Sequence, residues 1–117
     1  MSELDKALGA LQARRAQDEA ERQKRRTAAC DFLKEFYEAD IKASKQLKEH
    51  GIESECDGTR LVLERPAEGH FSEGLLIVVG EQGEIDVGGK SLGRYQPADK
   101  AAKKSELIME IITHFSL

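Results

Sequence analysis

The first 50 residues follow a helical pattern of apolar and polar positions. They contain no proline and a single glycine, Gly9, so little in this stretch would interrupt a helix. The pattern predicts one very long helix, or two in tandem, from about Ser2 to His50. At ~1.5 Å per residue such a helix would be roughly 70 Å long, whereas a compact domain of the remaining residues would be ~25 Å across. A continuous helix must therefore project, bend back or meet another chain.

Apolar side chains divide this predicted helix into three parts. Leu4, Leu8 and Leu11 recur at spacings of four and three residues and so share one face. Across residues 12–26 this stripe stops, because charged residues occupy the positions that would continue it. A broad apolar stripe returns afterwards and should dock on a sheet; its members are Ala28, Cys30, Leu33, Phe36, Tyr37, Ile41, Ser44 and Leu47, with Phe32 at its edge.

Two further positions of the helix have predicted roles. Asp40 lies within the apolar stripe, and we expect it at the rim of the core beside a Lys or Arg; the alternative is a buried acid with a functional role. His50 and Gly51 should end the helix, because glycine adopts the left-handed conformation without steric cost. These boundaries predict a projecting, charged helical arm at residues 1–27 and a small α+β domain at residues 28–117.

The stretch from Ile52 to Arg65 predicts a β-hairpin. Asp57-Gly58 separates two alternating runs, as in a two-residue turn that pairs Cys56 with Thr59. This register faces Glu55 with Arg60 and gathers one apolar face from Ile52, Cys56, Leu61 and Leu63.

Two more strands complete the predicted sheet. Leu75–Val79 is an unbroken apolar run, which indicates an interior strand with both faces covered. Glu84–Val87 alternates, and Gly88–Gln96 has the composition of a glycine-rich connection. The predicted fold is α+β: a long N-terminal helix, a four-stranded antiparallel meander and a C-terminal helix packed on the sheet.

The C-terminal helix is predicted to open at Pro97, Ala98 and Asp99. Its apolar face is expected at Ile108, Ile111, Ile112 and Phe115, widened by Leu107 and Met109. Three lysines near its start are expected to stay in water, because the N-terminal end of a helix is unfavourable for cations; they are Lys100, Lys103 and Lys104.

Composition fits a small domain with an extended appendage. The chain has 117 residues, 34% of them charged and 5% aromatic, with no tryptophan. Its net charge of −4 is uneven: residues 1–50 carry eleven Lys/Arg against ten Asp/Glu, and residues 51–117 carry seven against twelve. The N-terminus resembles neither a signal peptide nor a membrane span, and two cysteines make no disulfide framework. We therefore expect a cytoplasmic protein.

Candidate chemistry is sparse in this sequence. Gly88-Gly89-Lys90-Ser91 resembles the end of a phosphate-binding loop, but Glu84 occupies the place of its first glycine. His50, His70 and His114 lie far apart, without cysteines or carboxylates at metal-ligand spacing. Cys56 lies among acidic residues, whose field opposes ionisation of its thiol. The sequence thus predicts a non-enzymatic protein without a metal or a cofactor.

The leucines of the first segment suggest a protein partner. A module of about 67 residues has a marginal core, so the stripe from Cys30 to Leu47 is needed to complete it. Leu4, Leu8 and Leu11 then have nothing left to cover. We therefore predict a protein–protein interaction or assembly module that associates through its long N-terminal helix, most simply as a homodimer.

Two alternatives involve charge. A nucleic-acid-associated regulator would contact phosphates through the basic cluster Arg14, Arg15, Arg22, Arg25 and Arg26. Interleaved acids and the acidic balance of the whole chain weaken this hypothesis. The acidic sheet surface is a solubility device, a site for a basic partner surface, or a mimic of nucleic acid; its members are Glu53, Glu55, Glu64, Glu84 and Asp86.

Overall fold

The computed structural model describes residues 2–66 and 73–117. The chain begins with helix α1 (Glu3–Phe36), continues through a π-helical turn (Tyr37–Ile41) and reaches the short helix α2 (Lys45–Glu49). The hydroxyl of Ser2 caps α1 by accepting a hydrogen bond from the backbone N–H of Asp5 at 3.1 Å. Gly51 ends the helical region at a φ of +73°, as its sequence context predicted.

Among the described residues the sheet has five strands, one more than predicted. They are β1 (Glu53–Cys56), β2 (Arg60–Arg65), β3 (Glu73–Val79), β4 (Glu84–Val87) and β5 (Lys90–Arg94), all antiparallel and in sequence order. A 3₁₀ turn (Pro97–Asp99) then leads into helix α3 (Lys100–Phe115). The predicted α+β architecture, with a long N-terminal helix, an antiparallel meander and a C-terminal helix, is confirmed.

The additional strand β5 replaces the predicted glycine-rich connection. Gly88 and Gly89, at φ of +56° and +87°, form a tight turn that pairs Val87 with Lys90. Positive φ at both central positions is the geometry that matches the twist of a two-residue hairpin. Because β5 contains a single large apolar residue, Leu92, its own pattern was too weak to indicate a strand.

The first hairpin forms in a different register from the one predicted. Cys56 pairs with Leu61, and the turn centres on Gly58 and Thr59. The cause is Asp57, whose carboxylate accepts hydrogen bonds from the backbone N–H groups of Thr59 and Arg60 at 3.0 and 2.9 Å. The pairing differs by two residues, an even number, so the predicted inward face is preserved although Glu55 now faces Val62.

Both long helices supply the core on one face of the sheet, which we call the inner face. Phe32, predicted at the edge of the apolar stripe, is buried in this core, with its ring stacked on Tyr95 at a centroid distance of 4.6 Å. Tyr95 is a core residue that the sequence pattern did not indicate. The buried side chains come from α1, from alternate sheet positions and from α3; among them are Ala29, Leu33, Phe36, Leu61, Leu63, Leu75, Ile77, Ile85 and Leu107.

The buried face of α3 is rotated from the predicted one. Leu107, Ile111 and Phe115 are buried, whereas Ile112 and Met109 are exposed. Apolar residues surround enough of this helix to allow either stripe by spacing alone. Contact with the inner face of the sheet selects the one used.

The lysines of α3 make ion pairs instead of staying only in water. Lys100 lies 2.7 Å from Glu35 of α1, and Lys104 lies 2.9 Å from Asp40 in the π-helical turn. Lys103 is mostly covered and donates to the carbonyl of Leu92. These partners offset the unfavourable end of the helix dipole and join α3 to its neighbours. Asp40 is thus paired with a lysine, as predicted.

The central strand β3 has only one face in the core. Leu75, Ile77 and Val79 are buried on the inner face, but on the outer face Leu76 is 42% exposed and its cross-strand neighbour Val62 is 39% exposed. The prediction that both faces are covered is therefore wrong for the described part of a single chain. The interior position of β3 within the sheet is confirmed.

Candidate protein-interaction surfaces

The N-terminal part of α1 projects beyond the domain. Every residue from Glu3 to Glu21 is exposed, Arg22 is the first half-buried residue, and Ala29 is the first buried one. The molecule measures 70 × 31 × 20 Å, with a radius of gyration of 19.0 Å. A compact chain of this length would have ~13 Å. We call residues 3–21 the arm.

Leu4, Leu8 and Leu11 lie on the arm with exposed fractions of 69%, 46% and 43%. Each precedes a buried residue of the same helix by 25 positions, a separation close to seven turns at ~3.6 residues per turn. The three buried counterparts are Ala29, Leu33 and Phe36. The leucines therefore lie on the same side of α1 as the face that packs on the sheet.

The domain contacts the backbone of α1 at Arg25. There the turn between β3 and β4 approaches the helix so closely that a Cβ at Gly83 would lie 2.8 Å from the carbonyl oxygen of Arg25. Gly83 itself has a φ of +79°. The carboxylate of Glu84 folds back over this turn and accepts a hydrogen bond from the backbone N–H of Gln82 at 3.2 Å. The turn thus packs directly against α1 near the base of the arm.

The five arginines of the predicted phosphate-binding cluster have different surroundings. Arg22 makes an ion pair with Glu19, which lowers the pKa of that carboxyl and raises the pKa of the guanidinium. Arg25 is half-buried, and its Nε has no hydrogen-bond partner among the described residues. Arg14, Arg15 and Arg26 are exposed. Where the helix meets the turn, a shallow cleft mixes both signs of charge; it is lined by Arg15, Asp18, Glu19, Arg22, Arg25 and Gln82.

A second surface is the outer face of the sheet. Val62 and Leu76 lie directly opposite each other on β2 and β3, and the half-buried Val78 extends this apolar strip. Outward-pointing acids surround the strip, namely Glu53, Glu55, Glu64 and Asp86. Glu84, predicted to belong to this acidic surface, instead points into the β3–β4 turn.

An apolar groove between α2 and α3 was not foreseen from the sequence. Its volume is about 380 Å³, and its walls are mainly Ile41, Leu47, Ile108, Ile111, Ile112 and Leu117. Four polar residues also line it, namely Asp40, Ser44, Gln46 and His50. Only the rotation of α3 relative to its predicted face exposes Ile112, so periodicity gave no signal for this feature.

The residues that carry reactive chemistry do not converge into a site in the described ranges. Cys30 and Cys56 are half-buried free thiols that pack against the core, and burial raises the pKa of Cys30, which disfavours its thiolate. Within residues 2–66 and 73–117 there is no cluster of three or more His, Cys, Asp or Glu side chains suited to a metal ion. His70 lies outside the described ranges.

Comparison with protein-family models, with curated proteins and with solved structures finds no match to this chain. None of the helices in the described part of the chain combines the length and apolar character needed to cross a membrane. A proposal for the function of this protein therefore rests on the surfaces described above.

Proposed function

We propose that this chain is a non-enzymatic assembly protein that associates with a second copy of itself through its arm. The observation that carries the proposal is the row of three exposed leucines on a helix that extends past its own domain. An isolated helical segment gains little stability without packing of its apolar face. Contact with another chain would supply that packing.

The charges on the arm limit the kind of contact. Arg15, Asp18 and Arg22 continue the face on which the leucines lie. A coiled coil along the whole arm would bury these charges, and their desolvation would oppose association. The proposal therefore places the apolar contact at the leucines and leaves the charged part at the rim of the interface. A cytoplasmic setting, with both thiols reduced, is part of this proposal.

The nucleic-acid alternative has weaker support. Arg22 is already paired with Glu19, and Arg25 is half-buried against the domain. These two arginines are less free to neutralise phosphates than their number in the sequence implies. If the arginines served this role, binding to a DNA or RNA duplex would fall steeply with rising salt.

Sedimentation equilibrium of the full chain tests the assembly proposal. We expect a dimer at micromolar concentration and a monomer when all three leucines are replaced, as Leu4→Ser, Leu8→Ser and Leu11→Ser. The physical reason is that fully burying a leucine is worth about 1.5–3 kcal/mol, and a two-fold dimer would bury six.

A matched control places three serines on the opposite side of the same arm, as Ala10→Ser, Ala13→Ser and Ala20→Ser. These changes lower the helix propensity of the arm about as much as the three leucine substitutions do, but they leave the leucine row intact. The control should therefore remain dimeric. A monomeric wild-type chain at these concentrations would overturn the proposal. So would a leucine variant that dimerises as tightly as the control.

A further inference from the structure

We infer that the arm of one copy docks on the outer sheet face of a second copy, and that the second copy returns the contact. This inference rests on the proposed self-association and adds the surface that receives the arm. It depends on three observations: the phase of the leucines along α1, the apolar strip on the outer face, and the charges around both.

The phase of the leucines decides which way the arm faces. Leu8 lies on the same side of α1 as Leu33, which packs on the sheet. The leucine row therefore points towards the plane of the sheet and not away from it. The row lies 25 residues before its buried counterparts, or ~38 Å along the helix axis at ~1.5 Å per residue. That distance exceeds the ~25 Å breadth of a small domain. A second domain therefore fits beneath the overhanging arm.

A two-fold axis in the plane of the sheet, perpendicular to α1, makes this arrangement reciprocal. Such an axis turns the second domain over, so its outer face meets the leucine row of the first arm. The same operation carries the second arm under the outer face of the first domain. Each copy then has a helix on both faces of its sheet, and the interface is isologous, as in most homodimers.

The two surfaces match in apolar character. The outer face offers Val62 and Leu76, which are 39% and 42% exposed, with Val78 beside them. Exposed apolar residues on a central pair of strands form a flat platform on which a helix can pack, as α1 already does on the inner face. Leu8 and Leu11 are the side chains placed to cover this platform.

Charge adds support only beside the leucine row. The arm carries three Lys/Arg against five Asp/Glu, but Arg14 and Arg15 closely follow the leucines and are exposed. Around the strip on the outer face, four acids point outward, namely Glu53, Glu55, Glu64 and Asp86, and one cation, Arg60, lies opposite Val78 on the same face. Opposite charges at the rim of an interface favour one orientation and one partner over others. The groove between α2 and α3 is apolar as well, but its one carboxylate, Asp40, already pairs with Lys104.

The first experiment changes the platform. Leu76→Lys places a cation at the centre of the strip, and we expect the dissociation constant of the dimer to rise at least ~100-fold. Met109→Lys is the matched control, because Met109 is also an exposed apolar residue but lies on α3. Circular dichroism and the urea midpoint of the diluted protein verify that both variants fold. Loss of association in Met109→Lys with retention in Leu76→Lys would overturn the inference.

The second experiment mixes two variants that each lack one partner surface. The triple leucine variant keeps the platform, and Leu76→Lys keeps the arm, so an equal mixture should form a heterodimer with one intact contact. We expect each variant alone to be monomeric and the mixture to associate more weakly than the wild type, as measured by fluorescence anisotropy of one labelled component.

The outcomes of the mixing experiment separate the inference from the proposed function. If Leu76→Lys alone dimerises like the wild type while the triple leucine variant does not, arms pair with arms; the assembly function then stands and the docking inference fails. A wild-type chain that is monomeric removes both. A mixture that shows no heterodimer, with both variants folded, also overturns the docking inference.

A charge exchange provides a variant pair that leaves the apolar residues unchanged. Glu55→Lys with Glu64→Lys should weaken the dimer about tenfold, and adding Arg14→Glu with Arg15→Glu in the same chain should restore part of that loss. If the four changes together weaken association more than the first two alone, the arm does not lie beside these acids and the inference fails.

Discussion

The two ends of helix α1 carry the same apolar face into different environments. Leu33 is fully buried in the core, whereas Leu8, on the same side of the helix 25 residues earlier, is 46% exposed. Local sequence makes both ends helical. Only one end has a surface to pack on.

This difference shows how pattern and packing contribute separately to a helix. In the core segment the apolar residues form a stripe dense enough to include Phe32 and Phe36, and the inner face of the sheet covers them. In the arm the stripe is three leucines long and then becomes charged. A helix with so little apolar surface is marginal by itself, which is why we propose that the arm is the part that binds a partner.

The sharpest test of this contrast is a pair of equivalent truncations. Leu33→Ala should lower the free energy of unfolding by about 2–5 kcal/mol, because it leaves a cavity in a close-packed core. Leu8→Ala should change the unfolding of the dilute monomer by less than about 0.5 kcal/mol. Urea denaturation at concentrations well below those of association measures both. Equal losses in the two variants would mean that the arm packs on its own domain.

The boundary between the two regions can be tested at Gly83. Gly83→Ala adds a Cβ 2.8 Å from the carbonyl oxygen of Arg25 at a positive φ, so we expect a loss of about 2–4 kcal/mol in unfolding free energy.

Gly89→Ala is the matched control for this boundary. Gly89 also has a positive φ, but a Cβ there would meet nothing within 4 Å. We expect Gly89→Ala to lower the free energy of unfolding by only about 1–2 kcal/mol, through backbone strain. If urea denaturation gives the same loss for both variants, the contact between the turn and α1 does not contribute to stability.

The smallest expected effect concerns the ion pair at the base of the arm. Arg22 lowers the pKa of Glu19, mainly through their hydrogen bond. A carboxylate whose folded pKa is lowered stabilises the helix at pH values above its ordinary pKa, and this contribution disappears as the pH falls through the lowered value. Arg22→Gln should therefore raise the Glu19 pKa towards its ordinary value.

NMR titration of the Glu19 side chain measures this shift. Amide hydrogen exchange across residues 14–24 should also become faster in Arg22→Gln at neutral pH and change little in acid. An unchanged Glu19 titration would show that the pair does not form in solution.

The functional surfaces were accessible from the sequence to different degrees. The leucine row was found because three identical residues at helical spacing stand out against a charged background. The groove between α2 and α3 was not found, because it exists only through the orientation of α3. The outer sheet face was predicted only in part. Its acids alternate along the strands and were identified, but the unbroken run Leu75–Val79 gave no sign that one side of β3 is exposed.

Local rules determined much of this chain, and long-range contacts determined the rest. The sequence alone determined the long helix, its end at Gly51, the order of helices and strands, and the inward face of the first hairpin. Each of these features depends on residues that are a few positions apart in the chain. Tertiary structure decided the fifth strand, the stacking of Phe32 on Tyr95, the ion pairs of Lys100 and Lys104, and the exposed side of β3. These features join residues far apart in the chain, and nothing in a local pattern specifies which distant surface a side chain will meet.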